Sequence, residues 1–389
     1  MSRRRAGRPA PSGRARRHFA RGLDLARRNR LEEAAEAFAA AAACDDRHGA
    51  VFNNLGSALY MLGRLDEAAD AWRRALALTP DDPGIHLNLA NVLRRRGDLA
   101  AAVEALERAI ALGEDRPEVR NNLGRALHKL GRREDAAAVF RAAVAADPTN
   151  AGAAHWLAAL TGETPAAPPA AFVTGVFDAL APGFDRHLTE DLGYATPRHL
   201  RALLDRLRPA AERPPGRLLD LGCGTGLSGA AFADAAAHLT GVDLSAPMLS
   251  RAREKGVYDA LYQGDLVEFL AGGTGVWDLF VAADTLCYIG DLAPVFAAVR
   301  RRAAAGAWFL LSVEHARRAP AEGYRLRPTG RYAHGRPYLA ALAEHHGFRA
   351  AVMESAPLRK ERGAWVEGLL AALRVEDEAE VDGTQAAPE

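Results

Sequence analysis

Leu218–Gly229 reads LLDLGCGTGLSG. Glycines at 222, 224 and 226 break the apolar run, and the helical pattern LSGAAFADAA follows. Glycine has no Cβ and adopts φ > 0 freely, so alternating glycines at a strand end let backbone come close to a ligand. The spacing is G-x-G-x-G, not the G-x-G-x-x-G of dinucleotide-binding folds, and Leu227 stands where a phosphate-cradling loop carries lysine. The loop by itself does not say which ligand it approaches.

Strand-like and helix-like runs alternate beyond it. HLTGVDL precedes APMLSRAREK, ALYQGD precedes LVEFLA, and WDLFVAAD precedes LAPVFAAVRRR. AWFLLSVE, RPYLAALAEHH, FRAAVMES and AWVEGLLAAL complete the series. This alternation predicts a mostly parallel sheet with helices on both faces, and such sheets bind ligands at the carboxyl ends of their strands. Acidic residues stand at those ends. Asp243 closes the second strand, where a carboxylate can accept from both hydroxyls of a ribose; it also suits a cap for the helix starting near Ser245. Asp265, in YQGDL, is placed to accept from an adenine amino group and equally suits a helix N-cap. Asp284, in VAADTLCY, falls at the lip of the same site.

In this order, LLDLGCGTG, GVDLS, QGDL and DLFVAADTLCYIGDL resemble motifs I to IV of class I S-adenosylmethionine-dependent methyltransferases. The likeness covers about residues 172–375. It implies a Rossmann-like α/β domain with a seven-stranded, mostly parallel sheet, and S-adenosyl-L-methionine as cofactor. It also implies that Gly222, Gly224 and Gly226 line the methionyl part and that Asp220 lies near its amino group. Asp243 and Leu244 would hold the ribose, and Asp265 and Leu266 would frame the adenine, with Ala283 beside them. More narrowly, the chain resembles a bacterial group that joins tetratricopeptide repeats to such a methyltransferase. VFDALAPGFDRHLTEDLGYATPRHL, TGRYAHGRPYLAALAEHHGF and LRKERGAWVEGLL carry that likeness, which implies no particular acceptor.

An activated methyl group needs chiefly in-line alignment with its acceptor. A hydroxyl or carbon acid acceptor also needs a base, for which the candidates are Asp284, His315 and His334. Arg331, Tyr332 and Tyr338, around His334, suit a carboxylate or phenolate acceptor. Tyr194, with Phe177, Phe184 and His187, belongs to a segment that reads either as a lid over the cofactor or as the core of two short helices. Cys223 and Cys287 lack the Pro-Cys arrangement of cytosine-5 methyltransferases and read as packing residues. VAADTLCY lacks the Asn/Asp-Pro-Pro-Tyr of adenine and glutamine methyltransferases. A nicotinamide oxidoreductase is disfavoured by the glycine spacing and by the lack of any Tyr-x-x-x-Lys in the second half.

The first half repeats at a spacing of 34 residues: Asn29, Gly63, Gly97 and Gly131; Ala34, Ala68, Ala102 and Ala136; Phe38, Trp72, Leu106 and Phe140. That is the tetratricopeptide pattern, and it predicts an all-α solenoid over residues 18–160. Each helix pair cannot bury its apolar face alone, so stacked pairs share one core and leave a concave groove. Gly63, Gly97 and Gly131 are expected at positive φ where the first helices end. AGAAHWLAAL is expected to cap the stack. Asn54, Asn88 and Asn122 recur at the same spacing, either as a ladder for the backbone of an extended peptide or as helix–helix contacts.

Residues 161–171, TGETPAAPPAA, are proline-rich and read as a stiff linker. Residues 1–17 are basic without acids and read as a disordered tail or a transit peptide, and residues 376–389 as a solvated acidic tail. The 389-residue chain carries a net charge of +1, which gives no nucleic-acid footprint. Cys44, Cys223 and Cys287 show no metal or disulfide spacing and suit a reducing cytoplasm. No apolar run reaches the roughly 18 residues of a membrane span. The expected function is transfer of a methyl group to an unidentified acceptor, small molecule or protein, with the repeats binding a protein or peptide partner. The alternative is a repeat scaffold whose methyltransferase domain binds cofactor without catalysis.

Overall fold

The computed structural model describes residues 12–181, 183–208, 216–318, 320, 322–361 and 363–376. Most of the two expected tails, residues 1–11 and 377–389, lies outside the described residues. The chain divides into two compact units, Met1–Leu157 and Ala158–Glu389.

The first unit is helical. Its helices are α1 (Gly13–Arg27), α2 (Leu31–Cys44), α3 (Gly49–Met61), α4 (Leu65–Leu78), α5 (Pro83–Arg96), α6 (Leu99–Ala111), α7 (Pro117–Lys129), α8 (Arg133–Ala146) and α9 (Ala151–Thr161). Helix α1 begins inside the stretch expected to be a tail, because Ser12 caps it by accepting from the Ala15 N–H at 3.1 Å. The turns within the pairs have left-handed residues at the expected spacing: Asn29 (φ 58°), Gly63 (77°), Gly97 (82°) and Gly131 (81°). Asparagine can replace glycine there because its short polar side chain tolerates that conformation.

The repeat also fixes a small-against-large contact. A Cβ added to Gly22, Gly56 or Gly124 would come within 2.5, 2.8 and 2.5 Å of Phe38, Trp72 and Phe140 respectively. The third repeat has Ala90 and Leu106 at the same positions, both buried, so a larger small residue goes with a smaller large one. Trp156 of α9 stacks on Phe140, the rings 12° from parallel, and extends this series of buried contacts.

The second unit contains α10 (Ala170–Leu180), the short α11 (Phe184–Arg186) running into a π-helical turn at His187–Asp191, and α12 (Thr196–Leu207). It continues with β1 (Gly216–Leu221), α13 (Leu227–Phe232), β2 (Ala236–Asp243), α14 (Ala246–Glu254), β3 (Ala260–Gln263), α15 (Leu266–Gly272), β4 (Trp277–Ala282), α16 (Ala293–Arg302) and β5 (Ala303–His315). The last elements are β6 (Tyr324–Leu326), β7 (Tyr332–His334), α17 (Arg336–His345), β8 (Phe348–Glu361) and β9 (Ala364–Val375).

The described sheet has nine strands rather than the expected seven. Seven run in the order β3-β2-β1-β4-β5-β9-β8, parallel from β3 to β5 and antiparallel at β5–β9 and β9–β8. The extra pair, β6 and β7, attaches at the carboxyl end of β5 through Glu314–Ala333 and His315–His334. A tight turn closes this hairpin: Arg327 N–H donates to Arg331 O at 2.8 Å, with Gly330 at φ 78°. Within TGRYAH, the residues Tyr332–His334 are strand and the residues before them form the turn.

Period-two alternation buries both faces. Leu219, Leu221, Phe280, Phe309 and Leu311 face one layer with α16 and α17, while Leu218, Val281 and Leu310 face the other with α12. Two buried faces leave the carboxyl ends of the strands as the place where polar side chains gather.

Candidate functional site

A cavity of about 600 Å³ opens at those carboxyl ends. Its floor is the turn after β1. Gly222, Gly224 and Gly226 all have positive φ, at 70°, 53° and 90°. A Cβ on Gly222 would overlap the Thr285 side chain, so only glycine fits there. The N–H groups of Gly222 and Cys223 both donate to Val242 O, at 2.8 and 3.0 Å, which fastens the turn to the end of β2.

Asp243 stands at that end and lines the cavity. Its Oδ2 accepts from the Gly224 N–H at 2.9 Å and its Oδ1 from the Ser245 N–H at 2.8 Å. Burial pushes its carboxyl above the ordinary range. Asp265 lines the same cavity while capping α15, its Oδ1 accepting from Val267 and Glu268 N–H at 2.8 and 3.1 Å. The N-cap reading of Asp265 is therefore met, and its side chain also borders the cavity. Leu244, Leu266 and Ala283 also line the cavity.

Asp220 lies elsewhere. It is 1 % exposed, sits behind the glycine turn and is not part of the cavity wall. Its Oδ2 accepts from the Tyr258 hydroxyl at 2.7 Å, and burial pushes its carboxyl up to about 7. Gly226 likewise packs away from the cavity, against Tyr258.

The opening segment roofs the cavity. Phe177, Phe184, His187 and Tyr194 all line it, and Phe177 meets Phe184 and Tyr288 edge to face. The roof is tied to the floor. Asp178 accepts from the Ser245 hydroxyl at 2.6 Å, and Asp185 accepts from Thr225 and, at 2.5 Å, from Lys255. The proline-rich segment joins this wall rather than standing free. Ala166 O accepts from Gly290 and Asp291 N–H at 3.0 and 2.7 Å, and Ala166, Ala167 and Pro168 line the cavity.

A charged end of the cavity is lined by Asp284, Tyr288, Arg331 and Arg359. Asp284 has φ 59°, a left-handed conformation uncommon for a residue with a Cβ. Its Oδ2 pairs with Arg359 at 2.7 Å. Arg359 also pairs with Glu314, itself paired to Arg327 at 2.9 Å, and with Glu361 at 3.1 Å. Arg331 pairs with Glu361 and donates to the Tyr288 hydroxyl at 3.0 Å. Tyr194 donates to Ala283 O at 3.5 Å, and burial pushes its phenol well above the usual value, so it is a neutral donor.

The structure does not bring the two histidines to this end. His334 is fully buried in β7, its Nε2 hydrogen-bonded to Gly290 O at 2.9 Å, and burial pushes it down to about 4. His315 lies 3.7 Å from Glu367 and is no part of the wall. Tyr332 is buried in β7, and the Tyr338 hydroxyl donates to Asp291 at 2.9 Å and accepts from the Leu292 N–H. Of the expected acceptor group, Arg331 and Tyr194 reach the cavity; Tyr332 and Tyr338 support it from behind. The hairpin is the physical reason, since it turns Tyr332 and His334 inward. Burial pushes the thiols of Cys223 and Cys287 far up, which makes both poor nucleophiles.

In the repeat unit, Asn53 Oδ1 accepts from Trp72 at 2.9 Å and from Asn88 at 3.2 Å. Asn88 is thus engaged in a contact between repeats, and Asn54 donates to its own helix at Ala50 O. Asn122 is half-buried. Among the described residues no helix is long and apolar enough to cross a membrane, and no cluster of His, Cys, Asp or Glu is placed to hold a metal ion.

Comparison with known proteins gives family matches in both halves of the chain. Residues 219–309 match the family described as Methyltransferase domain, and residues 56–95 and 87–151 match families of tetratricopeptide repeats. The chain carries tetratricopeptide repeats and a methyltransferase domain. An 18S rRNA (guanine-N(7))-methyltransferase of Arabidopsis thaliana is 44 % identical over 75 residues, 19 % of this chain and 26 % of that protein. A ubiquinone biosynthesis O-methyltransferase of Aromatoleum aromaticum is 36 % identical over 86 residues, 21 % of this chain and 37 % of that protein. The chain therefore spans well under half the length of these two relatives. The solved 1,6-didemethyltoxoflavin-N1-methyltransferase of Burkholderia thailandensis is 19 % identical, with TM-score 0.43 over 55 % of this chain and 93 % of that one.

Sequence reading missed Arg359 and Glu361, whose segment LRKERGAWVEGLL carries only a family likeness, Glu314, which lies in a strand without a motif, and Tyr258, which lies in a connecting turn. For Tyr258 a signal was present: Gly229 and Gly241 have no role in the cavity and mark where something large must fit.

Proposed function

We propose that the chain is an S-adenosyl-L-methionine-dependent methyltransferase acting on a small acceptor, with its repeats binding a protein or peptide partner. The observation that carries the reading is Asp243. Two backbone N–H groups hold its carboxylate at the edge of a cavity floored by positive-φ glycines, with Asp265 at the next strand end. This donor set fits a nucleoside joined to an amino acid: two acidic side chains for hydroxyl and amino donors, and a side-chain-free turn for close approach. Gly222, Gly224, Asp243, Leu244, Asp265, Leu266 and Ala283 would hold the cofactor.

The cofactor, when bound, supplies a methyl group already activated by its sulfonium. What remains for the protein is alignment and proton removal. Phe177 and Tyr288 give the acceptor end flat apolar walls, and Ala166–Pro168 narrow it. That confinement supports a small molecule over a threaded protein chain. Asp284 is placed to take the acceptor's proton, and Arg331 with Tyr194 to orient it. Calorimetry with S-adenosylhomocysteine and with NAD tests the cofactor. Binding of the first alone is expected, and Asp243→Ala should abolish it; unchanged affinity in that variant defeats the assignment. Radiolabelled methyl donor in lysate is expected to label small molecules rather than protein.

The alternative, a repeat scaffold whose domain binds cofactor without catalysis, predicts cofactor affinity with no transferred label in either fraction.

A further inference from the structure

Tyr258 follows α14 and belongs to none of the strand-end motifs. Three glycines form a socket for its ring. A Cβ on Gly229 would overlap it, and a Cβ on Gly241 or Gly226 would come within 2.9 and 3.0 Å of it. Gly229 lies in the first turn of α13, Gly226 ends the cofactor turn, and Gly241 lies in β2. One ring thus touches the turn, the helix after it and the strand that carries Asp243. Its hydroxyl makes two bonds: it donates to Asp220 Oδ2 at 2.7 Å and accepts from the Gly229 N–H at 3.1 Å. The other Asp220 oxygen is buried without a hydrogen-bond partner, so Tyr258 provides the side-chain donor to a carboxylate that has left water.

We propose that Tyr258 is a positioning residue for the cofactor turn, acting through the bridge Asp220–Tyr258–Gly229 that fixes the turn and the start of α13 from behind. It does not itself line the cavity. Its effect is to hold Gly222–Gly226 in one shape, so that a ligand need not order the turn on binding. The inference rests on the reading of the cavity as an S-adenosyl-L-methionine site.

The bridge has a signature that packing alone lacks. The hydroxyl stabilises the ionised form of Asp220, so deleting it moves the titration of Asp220 to higher pH. The other titratable groups facing Asp220 are Asp243 from β2, Cys223 from the turn and Tyr194 from the roof; Asp243 also disfavours the ionised form.

The test uses the full chain and calorimetric titration with S-adenosylhomocysteine. Tyr258→Phe keeps the ring in its socket and is expected to weaken binding about tenfold near neutral pH, roughly 1.4 kcal/mol. As pH falls, its affinity should begin to drop at higher pH than that of the unmodified chain. Asp220→Asn, which keeps an oxygen for the tyrosine hydroxyl, should remove this pH dependence. Equal affinity in Tyr258→Phe and the unmodified chain overturns the inference. So does weaker affinity with an unmoved pH profile, which is what loss of packing alone produces. Failure of the unmodified chain to bind S-adenosylhomocysteine defeats the functional reading instead, and is seen before any variant is made.

Discussion

Arg359 holds Asp284 in place: Nη1 of the arginine lies 2.7 Å from Asp284 Oδ2, and the arginine side chain is 1 % exposed. The pair joins β8 to the loop after β4; Glu314 and Glu361 also pair with the guanidinium and are themselves paired to Arg327 and Arg331. The pair orients the carboxylate, which is what the proposed role of Asp284 in taking the acceptor's proton needs. Removing the arginine strands Asp284 and half of Glu314. Arg359→Met is therefore expected to destabilise the chain by about 3–5 kcal/mol, the cost of breaking a buried pair from one side. Urea unfolding measures it; a loss within a few tenths of a kcal/mol would show that the network contributes no stability. Asp284→Asn keeps the shape and should reduce transferred label about 100-fold or more while leaving S-adenosylhomocysteine affinity unchanged.

Asp220 makes stability depend on pH. Burial raises its carboxyl from 3.8 to about 7, so the folded chain keeps a proton that the unfolded chain releases between those values. Its stabilising contribution is complete below about pH 4 and is lost as pH rises through about 7, on the order of 4 kcal/mol in total. Burial shifts Asp243 in the same direction and adds to the slope. Asp220→Asn should flatten this part of the curve in urea titrations from about pH 4 to about pH 8. An identical slope in the variant means that the proton resides elsewhere.

The strand-end acids and the repeat were legible because each rests on local spacing. Asp243 and Asp265 follow from strand–helix alternation, and Gly63, Gly97 and Gly131 from a fixed period. His334 stands as a candidate base in the sequence because nothing local in TGRYAHGRPY marks it as buried; its pairing with the strand Tyr324–Leu326 does. Arg359 was invisible for the same reason. LRKERG carries only a part of the family likeness, and only tertiary pairing turns Arg359 inward. Charge networks between distant strands leave no period in a sequence.

Gly290 carries the docking of the proline-rich segment. A Cβ there would lie 2.7 Å from Ala166 O and 2.9 Å from Pro165 O. Its N–H and that of Asp291 both donate to Ala166 O. Gly290→Ala should push this segment off and open one wall of the cavity. Hydrogen exchange in the full chain is expected to show the amides of residues 290 and 291 exchanging at least tenfold faster, about 1.4 kcal/mol of lost protection. Unchanged protection would mean that the segment moves aside with its bonds intact.

The repeat makes its own test of small-against-large packing. Gly124 lies in the middle of α7, where alanine has the better helix propensity by about 1 kcal/mol. The Phe140 ring, however, lies 2.5 Å from where the new Cβ would stand, and Phe140 is fully buried. Overpacking a buried contact costs about 1–3 kcal/mol, so Gly124→Ala is expected to destabilise the chain despite its propensity. The third repeat shows the compensated pair, Ala90 with Leu106. Combining Gly124→Ala with Phe140→Leu should therefore cost less than the sum of the two single changes, a coupling of about 1 kcal/mol in a double-mutant cycle. Additive effects, or a stabilising Gly124→Ala, would show that the ring moves aside freely and that the glycine serves helix approach alone.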